Sequence, residues 1–273
     1  MDQAGIGVIV IRRNLSGPRS DLEMANSSSG DSVTARVIRV LETFGPNRTS
    51  QTVSEIARRA KLPKSTAHRL VSDLVAAQLL HRADDRSVSV GLRLWELASR
   101  SSPALQLGEI ALPFMEQVQK RLGEHTQLVV VEDDKALCVE RLSAPGSGEN
   151  LTRIAGRLPL HACSSGLILL AFGDGELRSR VLDAPLERMA PETITDPQQL
   201  SRLLRKIRGE GYAVAPGYVS AVSTGVAVPI LDGLGGASAA LSVVLPRDAA
   251  PEPAILELQS AARRIAHAAV RLG

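Results

Sequence analysis

Cysteine is scarce: 273 residues carry only two, Cys138 and Cys163. Two thiols cannot build a disulfide framework or a four-thiolate zinc site, so a reducing cytoplasm is the expected setting. Aromatic residues are 2% of the chain (Trp 1, Tyr 2, Phe 3). The core must therefore be aliphatic, and a stacking platform for single-stranded nucleic acid is not expected. No run of 18 uncharged apolar residues occurs, so no membrane span is expected. A Gly-Lys dipeptide is missing, which excludes a Walker A loop, and no complete G-x-G-x-x-G is found.

What is present is globular in composition: 44% hydrophobic, 22% charged, with a mean hydropathy of +0.04. The length suits two domains of ordinary size. At the start, the short run Ile6 to Ile11 is followed by Arg12-Arg13 and preceded by Asp2, the wrong order for a secretory signal. Residues 1–31 read as a disordered leader rich in Ser, Gly, Asn and Pro, and Met24 is an alternative start. The net charge of +3 is unevenly spread: residues 31–100 hold twelve Lys/Arg against seven acids, net +5, whereas residues 101–273 hold seventeen against nineteen, net −2. A basic segment joined to a mildly acidic one suits a nucleic-acid module attached to a sensing or assembly domain.

Within the basic segment, Val33, Val37, Val40, Leu41 and Phe44 fall at helical spacing until Gly45-Pro46. Thr52 and Glu55 have capping-box spacing at the head of a short helix whose buried stripe is Val53, Ile56, Ala57 and Ala60. Pro63 suits the first position of a third helix, from Lys64 to Leu80. Its apolar face is Ala67, Leu70, Val71, Leu74, Val75 and Leu79, and Lys64, Ser65, His68, Arg69 and Ser72 form a stripe of donors opposite. A helix entering the major groove needs such a stripe near its N-terminus. His81 to Gly91, with Asp84-Asp85 as turn, read as a hairpin carrying Arg82 and Arg86. Three helices and a basic hairpin make a winged helix-turn-helix. The other reading is a helical bundle whose basic face is merely solvated.

The segment VSEIARRAKLPKSTAHRLVSDLVAAQLL, followed by the wing and VGLRLWELA, resembles the DNA-binding domain of the IclR family of bacterial transcriptional regulators. Lys64, Ser65, Thr66, His68 and Arg69 match that family's recognition-helix positions. Lys61 and Gln78 stand where glycine is usual, and Val88 where an aromatic often sits. With Ser72, Arg82 and Arg86, these five complete the candidate DNA-binding set, its partner being a double-stranded operator.

Leu92, Leu94, Trp95 and Leu97 are expected to close the first domain, residues 32–94, and residues 95–122 to form a linker helix interrupted by Pro103 and Pro113. Residues 123–273 alternate strand and helix. Gln127 to Val131 and Ala136 to Glu140 read as strands around the turn Asp133-Asp134-Lys135, with further strands at Val226 to Ile230 and Ala239 to Leu245. Helices are expected from Cys163 to Phe172, from Asp196 to Ile207, and from about Glu252 to Leu272. This order suggests an α+β fold with a mostly antiparallel sheet.

The resemblance continues through RIAGRLPLHACSSGLILLAF and GYAVAPGYVSAVSTGVAVPILDGLGGASAALSVVLP, and covers residues 32 to 273. It implies a GAF-like effector-binding domain, a small organic effector (often a carboxylic or aromatic acid) and a homodimer or tetramer. Cys163, Ser164, Ser165 and Gly166 at a helix N-terminus offer free N–H groups and hydroxyls to a carboxylate; the plainer reading is an ordinary capped helix. By the resemblance, Ala215, Tyr218, Gly225 and Ser242 complete the candidate effector site. Leu167 replaces the usual lysine, Tyr218 the usual glutamate, and Ala215 and Gly225 stand where polar or thiol side chains can line the pocket, which implies a less polar or larger ligand, or a weakened response.

Enzyme readings fare poorly. His161 and Cys163 imitate a nucleophilic pair, and with Cys138 a three-ligand metal site, but a buried thiol acting as a small hydrophobe beside a hydrogen-bonded His accounts for them far better, and a fourth metal ligand is not evident. No cofactor is expected. The expected function is a DNA-binding transcriptional regulator controlled by a small organic acid; the alternative is a small-molecule-binding protein or enzyme with a helical domain that does not bind DNA.

Overall fold

The computed structural model describes residues 31–144 and 153–272, and the expected leader and alternative start lie outside them except for Asp31. The described chain divides into two compact units between Ser102 and Pro103.

The N-terminal unit contains α1 (Val33–Leu41), β1 (Ser50–Gln51), α2 (Val53–Arg59), α3 (Lys64–Ala76), β2 (Leu80–Arg82), β3 (Val88–Val90) and α4 (Leu92–Ser101). Ser32 caps α1 by accepting from the Ala35 N–H at 3.0 Å. Thr52 and Glu55 form the expected capping box on α2. Val40, Ile56, Ala67, Leu70, Val71, Leu74, Leu80 and Val88 make one aliphatic core under the helices. The wing is a three-stranded sheet in the order β1-β3-β2, not a two-stranded hairpin. Its extra strand is anchored by Gln51, whose side-chain amide donates to the carbonyl and hydroxyl of Thr43 at 3.0 and 3.1 Å. A two-residue strand carries no alternation for sequence to reveal.

Helix α3 stops at Ala76 instead of running on to Leu80 because Gln78 adopts a left-handed φ of 62°. Lys61, in the turn before α3, likewise has φ 53°. These are the two positions where the resemblance expects glycine, and a side chain in this conformation costs roughly 1–2 kcal/mol. Nearby, a Cβ on Gly91 would lie 2.2 Å from the Gln78 carbonyl oxygen, so the exit of the wing passes tightly under this turn. Helix α4 departs from expectation: Leu92, Trp95 and Leu97 are 79%, 67% and 48% exposed, so they do not close the unit's core.

The C-terminal unit opens on α5 (Pro103–Leu122), so the stretch expected as one linker runs through two helices meeting at Ser102. It continues with β4 (His125–Glu132), β5 (Lys135–Leu142), β6 (Arg157–Pro159), a single 3-10 turn (Leu160–Ala162), α6 (Ser164–Phe172), α7 (Gly175–Asp183), α8 (Pro197–Glu210), β7 (Ala213–Pro216), β8 (Ser223–Leu231), β9 (Ala237–Pro246) and α9 (Glu252–Leu272). The six strands form one sheet, β6-β5-β4-β9-β8-β7, antiparallel throughout. β6, β7 and α7 were not foreseen. At the β4–β5 turn, Asp133 and Asp134 both take positive φ (49° and 56°), the conformation that matches the twist of a two-residue hairpin.

Alternation along the strands gives the sheet two apolar faces. Leu128, Val130, Val226, Val228, Leu241 and Val243 pack on α5 and α9, while Val129, Ala136, Ala215, Ala227 and Ala240 pack on α6, α7 and α8. Every residue of α6 is buried, which its uninterrupted hydrophobic sequence requires. The unit is thus three-layered, with α6 enclosed between the sheet and α8.

Candidate functional site

The polar face of α3 is exposed among the described residues. Lys64, Ser65, His68, Arg69 and Ser72 are exposed and Thr66 is half-buried, while Ala67, Leu70, Val71 and Leu74 turn inward. Pro63 precedes the helix and caps no amide with its side chain, so the first-turn N–H groups and the positive end of the helix dipole remain on this face. Arg82 and Arg86 are exposed on the wing. Arg86 occupies the left-handed position (φ 64°) of the loop, and its N–H donates to the Ala83 carbonyl at 2.9 Å. Arg59 on α2 is directed elsewhere: it donates to the Gln51 side chain. The donors are a short stripe plus two wing cations, a surface suited to phosphates and base edges.

The second candidate site surrounds the start of α6. Cys163 is its N-cap residue and caps no amide with its side chain. The Ser164 and Ser165 N–H groups have no acceptor within the helix, and both residues are buried. Ser165 donates its hydroxyl to the Ser242 oxygen on β9 at 2.8 Å. Gly225 on β8 approaches so closely that a Cβ there would stand 2.7 Å from the Ser164 Oγ. Ala215 pairs with Gly225 across β7–β8. Gly166 lies against the backbone of Leu160, where a Cβ would come within 2.2 Å of the carbonyl oxygen. The structure therefore brings Ser164, Ser165, Gly225, Ala215 and Ser242 to one place. Tyr218 follows β7, half-buried against the same core; its carbonyl accepts from the Thr193 hydroxyl at 2.7 Å, and burial raises its phenol pKa.

Sequence reasoning did not single out Gln127, which lies beside this site. It pairs with Ser242 across β4–β9, is 4% exposed, and its side-chain amide nitrogen has no hydrogen-bond partner. The signal available was its place in the alternation, two residues before Val129 on the α6-facing side of β4.

The imitation of an enzyme dissolves in the geometry. The His161 Nε2 is engaged with the Glu187 carbonyl at 2.8 Å, and the Cys163 thiol with the Pro159 carbonyl at 3.8 Å. Burial pushes both thiols, Cys138 and Cys163, up to about 11, the wrong direction for a nucleophile. Among the described residues, no group of three His, Cys, Asp or Glu could hold a metal ion. No described helix is long and apolar enough to cross a membrane.

Comparison with known proteins settles the lineage. Residues 33–84 match the IclR helix-turn-helix domain, and residues 101–270 match the bacterial transcriptional regulator IclR C-terminal domain. The chain belongs to the IclR family. Among solved structures, an IclR homolog complexed with 4-hydroxybenzoate from Microbacterium hydrocarbonoxydans is 52% identical, covers 89% of this chain and 100% of its own, and superposes with a TM-score of 0.84. The transcriptional regulator KdgR of Escherichia coli is 25% identical over 243 residues, 86% of this chain and 92% of the relative. The Pca regulon regulatory protein of Pseudomonas putida is 27% identical over 214 residues, 77% and 72% of the two chains. This IclR-family chain is accordingly a transcriptional regulator with a helix-turn-helix DNA-binding domain, and not an enzyme.

Proposed function

We propose that this regulator grips a two-fold symmetric operator as a homodimer or tetramer in the cytoplasm, and that a small organic acid bound at the start of α6 changes its affinity for DNA. The observation that carries the DNA half is the exposed stripe Lys64, Ser65, His68, Arg69 and Ser72 above a fully apolar inner face of the same helix. Thr66 and the wing residues Arg82 and Arg86 extend it. His68 and Arg69 supply base-edge donors, while Lys64 and the hydroxyls hold phosphates.

The effector half rests on a buried helix start whose first N–H groups face no intrahelical partner, beside the Ser165–Ser242 pair. The related Microbacterium protein holds 4-hydroxybenzoate, a carboxylic and aromatic acid, which makes that compound the first effector to test. Such a ligand acts only through a difference in affinity between the DNA-competent and DNA-incompetent arrangements.

Electrophoretic mobility shifts on the DNA upstream of the chain's own gene, at two salt concentrations and with or without 4-hydroxybenzoate, test the whole reading. Arg69→Ala is expected to lose about 1–3 kcal/mol of binding and to relax specificity at one base position. Lys64→Ala is expected to weaken all sequences alike and reduce the salt slope by about 1. Unchanged operator binding in both variants refutes the assignment of α3 as the reading helix.

A further inference from the structure

A buried amide donor with nothing to bind is an expensive feature in a native core, where polar groups of this kind almost always find partners. Gln127 is such a group: 4% exposed, with its Nε2 unpaired. Strand alternation fixes where it faces. Leu128 and Val130 belong to the α5–α9 side of the sheet, Val129 to the α6 side, so Gln127 projects to the α6 side. Its cross-strand neighbour there is Ser242, which is hydrogen-bonded to Ser165 in the first turn of α6. Paired residues on adjacent strands sit about 4.5–5.5 Å apart at their Cα atoms, well within the reach of a glutamine side chain. On the other side Gln127 pairs with Arg141 of β5, which adds a cationic side chain to the same face.

An unpaired donor, a helix start with unused N–H groups and a hydroxyl pair therefore converge from three elements, β4, α6 and β9. We infer that Gln127 is a specificity-determining residue of the effector site, donating its side-chain N–H to a carboxylate oxygen of the bound acid while the first turn of α6 takes up the other oxygen. This rests on the reading of α6 as the effector site. The amide is left unpaired by the fold because its partner arrives with the ligand, and an acid satisfies it where a neutral, acceptor-poor molecule of equal size does not.

The test is isothermal calorimetry on the full chain with benzoate and 4-hydroxybenzoate, comparing wild type with Gln127→Met and Gln127→Glu, together with the melting temperature of each free protein. The inference expects Gln127→Met to lose about 10- to 100-fold in affinity for both acids alike, the loss of one hydrogen bond to a charged group. Gln127→Glu is expected to lose more, by repulsion of the incoming carboxylate. Free Gln127→Met should melt no lower than the wild type, since a buried unsatisfied donor has been removed.

Undiminished binding by Gln127→Met overturns the inference and leaves the effector site standing. A loss confined to 4-hydroxybenzoate also overturns it, because the amide would then read the ring substituent. A Gln127→Met chain that melts below the wild type overturns it as well, since the amide would be serving the fold. A wild-type chain that binds neither acid overturns the underlying acid-effector reading, and the inference with it.

Discussion

Gly166 and Gly209 lie in helices of the same unit, and replacing each by alanine should shift stability in opposite directions. At Gly166, in the first turn of α6, a Cβ would come within 2.2 Å of the Leu160 carbonyl oxygen, 2.6 Å of its Cα and 2.7 Å of its carbonyl carbon. All three are backbone atoms of the 3-10 turn that feeds α6, so no side chain can swing aside. Restoring an ordinary contact of about 3.4 Å requires the helix and turn to part by roughly 1 Å in a close-packed interior. Overpacking of this kind costs about 1–3 kcal/mol or more, whereas the gain in helix propensity from Gly to Ala is about 1 kcal/mol. Against three rigid contacts we take the upper part of the range, so Gly166→Ala should lose a net ~2 kcal/mol.

Gly209 is the control. It is exposed near the end of α8, and a Cβ there meets nothing within 4 Å. Only the propensity gain remains, so Gly209→Ala should be stabilised by up to about 1 kcal/mol. In a unit of this size each kcal/mol moves the melting temperature by roughly 2–4 °C. Scanning calorimetry of the full chain should therefore show the C-terminal transition about 4–8 °C lower for Gly166→Ala and a few degrees higher for Gly209→Ala. A Gly166→Ala transition at or above that of the wild type would refute the claim that α6 is wedged against Leu160.

Two further outcomes follow from the geometry. Lys61→Gly should raise the stability of the N-terminal unit by about 0.5–1 kcal/mol, the relief of left-handed strain less the extra freedom of glycine in the unfolded chain, and urea denaturation followed by circular dichroism measures it. Cys138 and Cys163, with thiols held up to about 11 by burial, should resist iodoacetamide in the native protein at pH 8 and react quickly once it is unfolded in urea; mass spectrometry counts the labels, and rapid native labelling of either would contradict the packing.

Helix α3 was legible because its two faces differ in chemistry: Ala67, Leu70, Val71 and Leu74 repeat at helical spacing, and the donors fill the gaps between them. The capping box at Thr52 and the turns at Asp84-Asp85 and Asp133-Asp134 were legible for the same reason, since each needs a particular side chain at a particular offset. β1 escaped because two residues, Ser50 and Gln51, carry no period, and its position depends on a glutamine reaching back to Thr43. The end of α3 was overrun because Gln78, unlike glycine, gives no sign of a left-handed turn. Leu92, Trp95 and Leu97 looked like core residues by hydropathy alone, which cannot tell an inward face from an outward one.

In the candidate effector site, Ser164, Ser165 and Gly166 could be picked out as a helix start, but their meeting with Ser242 and Gly225 depends on the pairing of β4, β9 and β8, which no local pattern encodes. Gln127 was invisible for a related reason. In sequence it is one polar residue at the head of an apolar run, whose alternation gives its face but not its state; its own burial and the unpartnered Nε2 show it to be a donor without an acceptor.

Trp95 is the only tryptophan in the chain, and it sits outward on the helix that leaves the wing. The protein thus carries a built-in optical gauge. Indole fluorescence reports the wetness of that one helix, free of background from any second tryptophan, and a shift to shorter wavelength on adding DNA, ligand or more protein would register whatever dries it.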